Sequence, residues 1–178
     1  AGGDTGATAT EGDVVVGPAE IQVRVSAEVQ APVLESWSAE TTPEDVAAVA
    51  ALPPSGSGLV VGTRADWGAD ESVRGTTPAE LLHESPKVGV TVHHTATSND
   101  YAPEEVPAIL RGIFAYHAQT LGWGDIGYAA LVDRYGRVWE GRAGGLEENV
   151  QLAHALGMNR DWSGISVLGD HDESPVPG

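Results

Sequence analysis

The alternation of apolar and polar residues between Val88 and Thr97 predicts a buried strand that ends in two adjacent histidines. Because side chains alternate along a strand, these residues divide between two faces. One face carries Val88, Val90, Val92 and His94, and the other carries Gly89, Thr91, His93 and Thr95. The valine face is expected to pack into a core, which leaves His93 on a face where a site could open. The two histidines are either a structural pair or a source of metal ligands and proton carriers, and the pattern leaves both interpretations open.

The clearest helical pattern runs from Pro103 to Leu121, where apolar positions repeat at the spacing of one helical face. These positions are Val106, Ile109, Leu110, Ile113, Phe114, His117 and Leu121. Either Pro103 or Pro107 can begin the helix, since proline fits only near a helix start, and Gly122 is a natural stop. His117 lies on the apolar stripe. It is either a hydrogen-bonded core histidine or a side chain that projects towards a cleft.

Shorter segments complete a pattern of alternating strands and helices. Strands are predicted at 14–16 and 21–25 around a Gly17-Pro18 turn, at 128–133 and 137–142 as a hairpin, and at 163–169. A weak helix is predicted to begin after Thr42, and a single helical turn at 78–82. These elements indicate an α/β or α+β domain around one sheet, with the Pro103–Leu121 helix on a face.

The organisation of the chain follows from its composition. Residues 52–58 are rich in proline, glycine and serine, as linkers are, so we predict an N-terminal extension at 1–58 and a domain at 59–178. The 178 residues include nine basic and 26 acidic side chains, and the formal net charge is −17. That charge argues strongly against a nucleic-acid partner, because phosphate binding needs a basic surface.

The ends of the chain and its residue types give further expectations. There is no cysteine. No apolar run approaches the roughly 20 residues that a membrane helix needs, and no signal peptide is visible. The opening sequence, Ala1-Gly2-Gly3-Asp4, is typical of an excised or processed piece of a longer chain.

Several catalytic motifs are absent: there is no P-loop, no His-Glu-x-x-His and no Gly-x-Ser-x-Gly. The acidic tail at 170–173 is interpreted as a surface turn, since it lacks the spacing of a calcium loop. What remains is a set of proton carriers at strand ends, on a helix face and in loops. They are His93, His94, His117, Tyr128, His154 and His171. If several elements bring them to one groove, metal-assisted hydrolysis fits, with zinc activating a water and a tyrosine hydroxyl stabilising the oxyanion.

A set of motifs then occurs in a specific order. They are Arg64-Ala-Asp-Trp-Gly-Ala69, Val90-Thr-Val-His-His-Thr95, Tyr116-His117, Gly122-Trp-Gly-Asp-Ile-Gly-Tyr128, Asp133-Arg-Tyr-Gly-Arg-Val-Trp-Glu-Gly-Arg142, Ala153-His154, Gly157-Met-Asn159 and Gly164-Ile-Ser-Val-Leu-Gly169. The ordered set, over residues 59–178, resembles the family of peptidoglycan recognition proteins and type-2 N-acetylmuramoyl-L-alanine amidases. The N-terminal third resembles the segment that precedes the catalytic domain in secreted actinobacterial members.

The resemblance implies a mixed central sheet flanked by helices, a groove for a muramyl peptide, a Zn²⁺ cofactor and a secreted or cell-wall location. The implied reaction cleaves the amide between N-acetylmuramic acid and L-alanine of peptidoglycan. By position, His93 matches the first zinc ligand and Tyr128 the catalytic tyrosine beside the metal. His117, His154, Arg142 and Asn159 match residues that contact glycan or peptide.

The sequence departs from the family pattern in one respect that bears on activity. The family's other two zinc ligands follow a last helix and a final loop, and this chain ends nine residues after the 163–169 strand. We therefore expect the last helix, the final loop and two of the three metal ligands to be missing from the chain. Two functions stay open: a zinc-dependent amidase domain, and a recognition module that binds peptidoglycan without cutting it.

Overall fold

The computed structural model describes the backbone of strands 12–16 and 21–25, and residues 40–52, 61–75, 81–83 and 85–172 in full. Two strands, β1 (Gly12–Val16) and β2 (Ile21–Val25), pair antiparallel as a separate two-stranded sheet. The predicted Gly17-Pro18 turn, helical turn at 78–82 and linker at 52–58 fall wholly or largely outside the described residues. The proposed division into an extension and a domain stays a prediction.

A five-stranded mixed sheet forms the centre of the fold. Its strands are β3 (Val61–Gly62), β4 (Gly89–His94), β5 (Ala130–Val132), β6 (Val138–Glu140) and β7 (Trp162–Val167), and they lie in the order β3-β6-β5-β7-β4. β5 and β6 form the predicted antiparallel hairpin, while β4 and β5 run parallel to β7 on either side of it. The mixed α/β architecture predicted from the sequence is confirmed. β4 lies at the edge of the sheet.

Helical segments account for the rest of the predicted pattern. Helix α1 (Pro43–Ala51) begins after Thr42, whose hydroxyl accepts a hydrogen bond from Asp45 N while the Asp45 carboxylate accepts one from Thr42 N. Helix α2 (Val106–Ala115) follows a short 3₁₀ turn at Pro103–Glu105 and continues into a π-helical turn at Tyr116–Thr120. The predicted helix from Pro103 to Leu121 is therefore present, divided into three helical geometries. No helix in the described part of the chain has the length and apolar character of a membrane-crossing segment.

The main core lies between α2 and one face of the sheet. Strand register places His93, Ser166, Leu131 and Trp139 on the same face, because paired residues of neighbouring strands point the same way. Leu131 and Trp139 are fully buried, and they belong to one apolar cluster with the helical residues Val106, Leu110 and Phe114. His93 thus lies at the edge of the face that α2 covers.

The prediction that the valine face of β4 packs into the core is wrong. Val88, Val90 and Val92 are 71%, 53% and 68% exposed, whereas Thr91 and His93 are half-buried. Alternation correctly separated the two faces, but the covered face is the one with glycine, threonine and histidine. The reason is tertiary: the core forms on the side where Leu131 and Trp139 meet α2.

Candidate functional site

Three of the predicted site residues meet at the end of β4. His93 Nε2 lies 2.9 Å from His154 Nδ1, and the centroids of these two rings are 5.1 Å apart. The ring of Tyr128 lies 5.3 Å from that of His93. The strand, the loop before β7 and the segment before β5 therefore deliver one side chain each to a common cluster.

The loop that carries His154 is held by its own hydrogen bonds. Asn159 Oδ1 accepts hydrogen bonds from His154 N and Ala155 N, at 2.7 and 2.8 Å. The imidazole of His154 lies directly over Gly164 of β7, where an added Cβ would come within 2.5 Å of the ring. Glycine at 164 is thus required for His154 to reach His93. Asn159 orients this loop, and its predicted contact with glycan or peptide stays a prediction.

His117 joins the same cluster from the π-helical turn after α2. Its ring lies 5.7 Å from that of Tyr128 and 4.8 Å from that of Trp123. Gly127 N donates a hydrogen bond to His117 Nδ1, at 3.2 Å. His117 is therefore buried and hydrogen-bonded, as a core histidine would be, and it also lies against the predicted catalytic tyrosine. We name the four side chains His93, His117, Tyr128 and His154 the histidine–tyrosine cluster.

Burial sets the protonation of this cluster. It lowers the pKa of His93 from 6.5 to about 4, and charge repulsion from His154 and His94 adds to the effect. Burial likewise lowers the pKa of His117 to about 4, with Arg142 contributing, and it lowers the pKa of His154. Burial raises the pKa of Tyr128, and the nearby Ser166 hydroxyl only partly opposes the rise. At neutral pH the cluster holds three neutral imidazoles and a protonated phenol.

Arg142 has a different environment from the one the resemblance implied. Its side chain is buried, and its guanidinium donates to the carbonyl oxygens of Ile126, Trp123 and Asp125. These bonds brace the segment that leads into Tyr128. Contact of Arg142 with a glycan or peptide stays a prediction, and bracing is the role that these bonds support.

Asp125 was not singled out from the sequence, although it is a lone carboxylate in the segment Gly122–Tyr128. It is 1% exposed, pairs with Arg64 at 3.0 Å, and accepts hydrogen bonds from Ile126 N and Ala143 N. Arg64 also contacts Glu71 at 2.7 Å. The sequence signal that points to Asp125 is a single charged residue among glycines and aromatic residues. An aspartate in a segment of this kind is buried only when its charge is paired, which predicts a buried ion pair.

Lys87 secures the His154 loop from the strand side, and its replacement by methionine tests this. Its Nζ donates to the carbonyl oxygens of Val150 and Arg160, at 2.7 and 2.8 Å. We expect K87M to lower the free energy of unfolding by about 1.5 kcal/mol, the lower end for hydrogen bonds to a charged group because the lysine is only half-buried. Urea denaturation followed by fluorescence measures this.

The matched control for K87M is R160M, since the Arg160 residue is exposed and its carbonyl is kept. We expect a change within about 0.5 kcal/mol for this surface substitution. Equal effects of the two variants would show that the loss of a positive charge, and not the carbonyl bonds, determines the result.

The low pKa values of His93 and His117 predict a pH dependence of stability. Between about 4 and 6.5 the unfolded chain binds more protons than the folded chain, because these imidazoles titrate near 6.5 only when unfolded. Their contribution is complete above pH 6.5 and is lost as the pH falls towards 4. Denaturation across this window should show stability rising with pH. H117Q keeps an acceptor for Gly127 N without a titrating ring, so its slope should be shallower, and an unchanged slope would contradict the assignment.

The described residues fit one zinc ligand near the cluster, but not a complete site. His93 is neutral, as a zinc ligand must be, but its Nε2 is already engaged by His154 Nδ1 at 2.9 Å. The three-residue group of potential metal ligands in the described ranges is His94, Asp170 and Asp172. That group contains the second histidine of the pair, its carboxylates are exposed, and His94 Nδ1 accepts a hydrogen bond from His171 N.

Comparison with known proteins gives a consistent picture in sequence and fold. The chain is 35% identical over 121 residues to peptidoglycan-recognition protein SC2 of Drosophila simulans, a match of 67% of this chain and 60% of the relative. It is 34% identical over 110 residues to the human N-acetylmuramoyl-L-alanine amidase, a match of 61% of this chain and 18% of the relative. The chain thus spans about 60% of the length of the first of these and much less of the second. No protein-family model matches it.

Solved structures show the same similarity. Bumblebee PGRP-SA superposes with a TM-score of 0.56 at 29% identity, over 67% of this chain and 66% of that one. Human PGRP-IβC, solved in complex with a glycosamyl muramyl pentapeptide, superposes with a TM-score of 0.54 at 27% identity, over 65% of each chain.

These relatives are insect and human proteins, and they do not support the expected likeness to the secreted actinobacterial type. They include both recognition proteins and an amidase. In sequence and in fold the chain is therefore similar to peptidoglycan recognition proteins, and in sequence also to an N-acetylmuramoyl-L-alanine amidase.

Proposed function

We propose that this chain binds the muramyl peptide of peptidoglycan as the substrate-binding part of a secreted N-acetylmuramoyl-L-alanine amidase. The observation that carries the proposal is the histidine–tyrosine cluster, in which a strand, a helical turn and two loops bring four predicted site residues together. Neutral imidazoles and a phenol are suited to a ligand rich in hydroxyl and amide groups, because each offers a donor or an acceptor without an unpaired charge.

Amide hydrolysis requires the cluster to stabilise the charge that develops on the carbonyl oxygen. The C–N bond to L-alanine breaks, the lactyl carbonyl carbon gains the hydroxyl of water, and the alanine nitrogen gains a proton. The phenol of Tyr128 is protonated at neutral pH, since its ordinary pKa of 10.0 is raised further by burial, so it can donate a hydrogen bond to the oxyanion. Zinc, when bound, would supply activation of the water. His93 is the described residue that would ligate it, and the other ligands would have to lie outside the described residues.

Recognition without hydrolysis is the second candidate. It is favoured by the arrangement of metal-ligating side chains, because within the described ranges no group of three such side chains includes His93. The histidine–tyrosine cluster would then serve binding alone. The similarity to recognition proteins such as SC2 agrees with either candidate.

One experiment separates the two candidates. The chain is titrated with a soluble muramyl peptide by calorimetry, and the same mixture is analysed by mass spectrometry for free stem peptide, with added zinc and with chelator. Zinc-dependent release of a stem peptide with a free L-alanine amino group supports the amidase. Binding without release supports the recognition module, and absence of binding in all mixtures contradicts both.

A further inference from the structure

A contact with a main-chain carbonyl decides which nitrogen of His154 carries its proton. His154 Nε2 lies 3.2 Å from the carbonyl oxygen of Trp162, and a carbonyl oxygen can only accept. His154 must therefore hold a proton on Nε2. In a neutral ring that proton leaves Nδ1 unprotonated, so Nδ1 can only accept a hydrogen bond.

The protonation of His154 determines that of His93 through the contact between their two rings. His93 Nε2 lies 2.9 Å from His154 Nδ1, so the proton in this contact belongs to His93. A neutral imidazole carries one N–H, which leaves His93 Nδ1 with a free lone pair. The opposite assignment would place His154 Nε2 and Trp162 O together as two acceptors, which is unfavourable in a partly buried position.

We propose that His154 is a positioning residue that holds His93 in its Nε2–H tautomer and so leaves His93 Nδ1 as the nitrogen that binds a ligand. The lone pair on that nitrogen can accept a hydrogen bond from a substrate N–H or O–H, or ligate a metal ion. The use of the lone pair rests on the proposed function. The tautomer itself does not.

The surroundings of His154 are suited to such a role, because they restrict its ring. Gly164 leaves space for the ring with no room for a Cβ beneath it, and Asn159 Oδ1 holds the His154 main chain. Lys87 Nζ ties the loop through the carbonyl oxygens on either side of it. Because these contacts hold the His154 ring in place, its hydrogen bond to the Trp162 carbonyl oxygen also determines which nitrogen of His93 is protonated.

The test is a two-bond ¹H–¹⁵N correlation spectrum of the histidine-labelled chain near neutral pH, with His93 assigned by its loss in H93Q. We expect wild-type His93 to show a protonated Nε2 and an unprotonated Nδ1. H154N retains an oxygen acceptor near the former Nδ1 position and should keep this pattern. H154L removes the acceptor and should give a mixture of both tautomers.

Two results would overturn the proposal: a protonated Nδ1 on wild-type His93, or an unchanged tautomer in H154L. The wild-type spectrum decides the first point even if H154L does not fold, and circular dichroism identifies that case. Calorimetry with a soluble muramyl peptide on the same samples distinguishes failure of the positioning role from failure of the proposed function. The expected tautomer without binding would contradict the proposed function and leave the positioning role intact.

Discussion

Replacement of Asp125 with alanine is expected to lower the free energy of unfolding by about 3 kcal/mol, about twice the effect expected for K87M. The Asp125 side chain is 1% exposed and its partner Arg64 is 7% exposed. Removing the carboxylate leaves a buried guanidinium without this partner and two main-chain N–H groups, of Ile126 and Ala143, without an acceptor. The lower end of the range for buried pairs applies because Glu71 still contacts Arg64.

Two variants show whether the unpaired charge is the cause. D125N keeps the shape and one acceptor, so it should recover part of the loss. The double variant R64M/D125L removes both charges, and apolar replacement of a buried pair is often close to neutral. Urea denaturation of all three measures the effect, and a double variant as unstable as D125A would show that packing and the two N–H groups dominate.

Replacement of Tyr128 with phenylalanine is expected to reduce hydrolysis by about 10²–10³-fold in a preparation that releases stem peptide, as loss of an oxyanion donor does. The ring contacts with His93 and His117 are retained, so binding of muramyl peptide should weaken by less than about tenfold, the value of one neutral hydrogen bond. Chromatographic measurement of released stem peptide over a range of substrate concentrations separates kcat from KM.

The matched control for Y128F is Y135F. The Tyr135 hydroxyl donates to the Tyr101 carbonyl at 2.6 Å, and Tyr135 packs against the main core rather than in the histidine–tyrosine cluster. Y135F therefore removes one phenol oxygen without affecting the cluster, and its rate of hydrolysis should stay at the wild-type value. A wild-type rate in Y128F would show that this phenol takes no part in the reaction.

Local patterns were sufficient for most of the secondary structure. The apolar spacing between Pro103 and Leu121 predicted a helix that is present, and the hairpin at β5 and β6 lies within its predicted bounds. The pattern did not show which proline begins the α-helix. Pro103 begins the 3₁₀ turn and Pro107 lies in the first turn of α2, since either proline is tolerated where no N–H is needed.

The site divides in the same way between local and tertiary information. Motif order identified His93, His117, Tyr128 and His154, and the structure brings all four together. Arg142 and Asn159 came from the same motifs, but their side chains bond to the main chain around the cluster. A motif records that a residue type is needed at a position, and the contacts decide whether it faces a ligand or holds a loop.

The sequence by itself determined the helices, the strands, the faces of each strand and the residue types available for chemistry, because these depend on neighbours in the chain. Only the tertiary structure decided that the valine face of β4 is exposed, that Asp125 is buried against Arg64, and that a carbonyl on β7 places the proton of His93. Burial, pKa and tautomer depend on atoms from distant segments, and no local pattern contains those contacts.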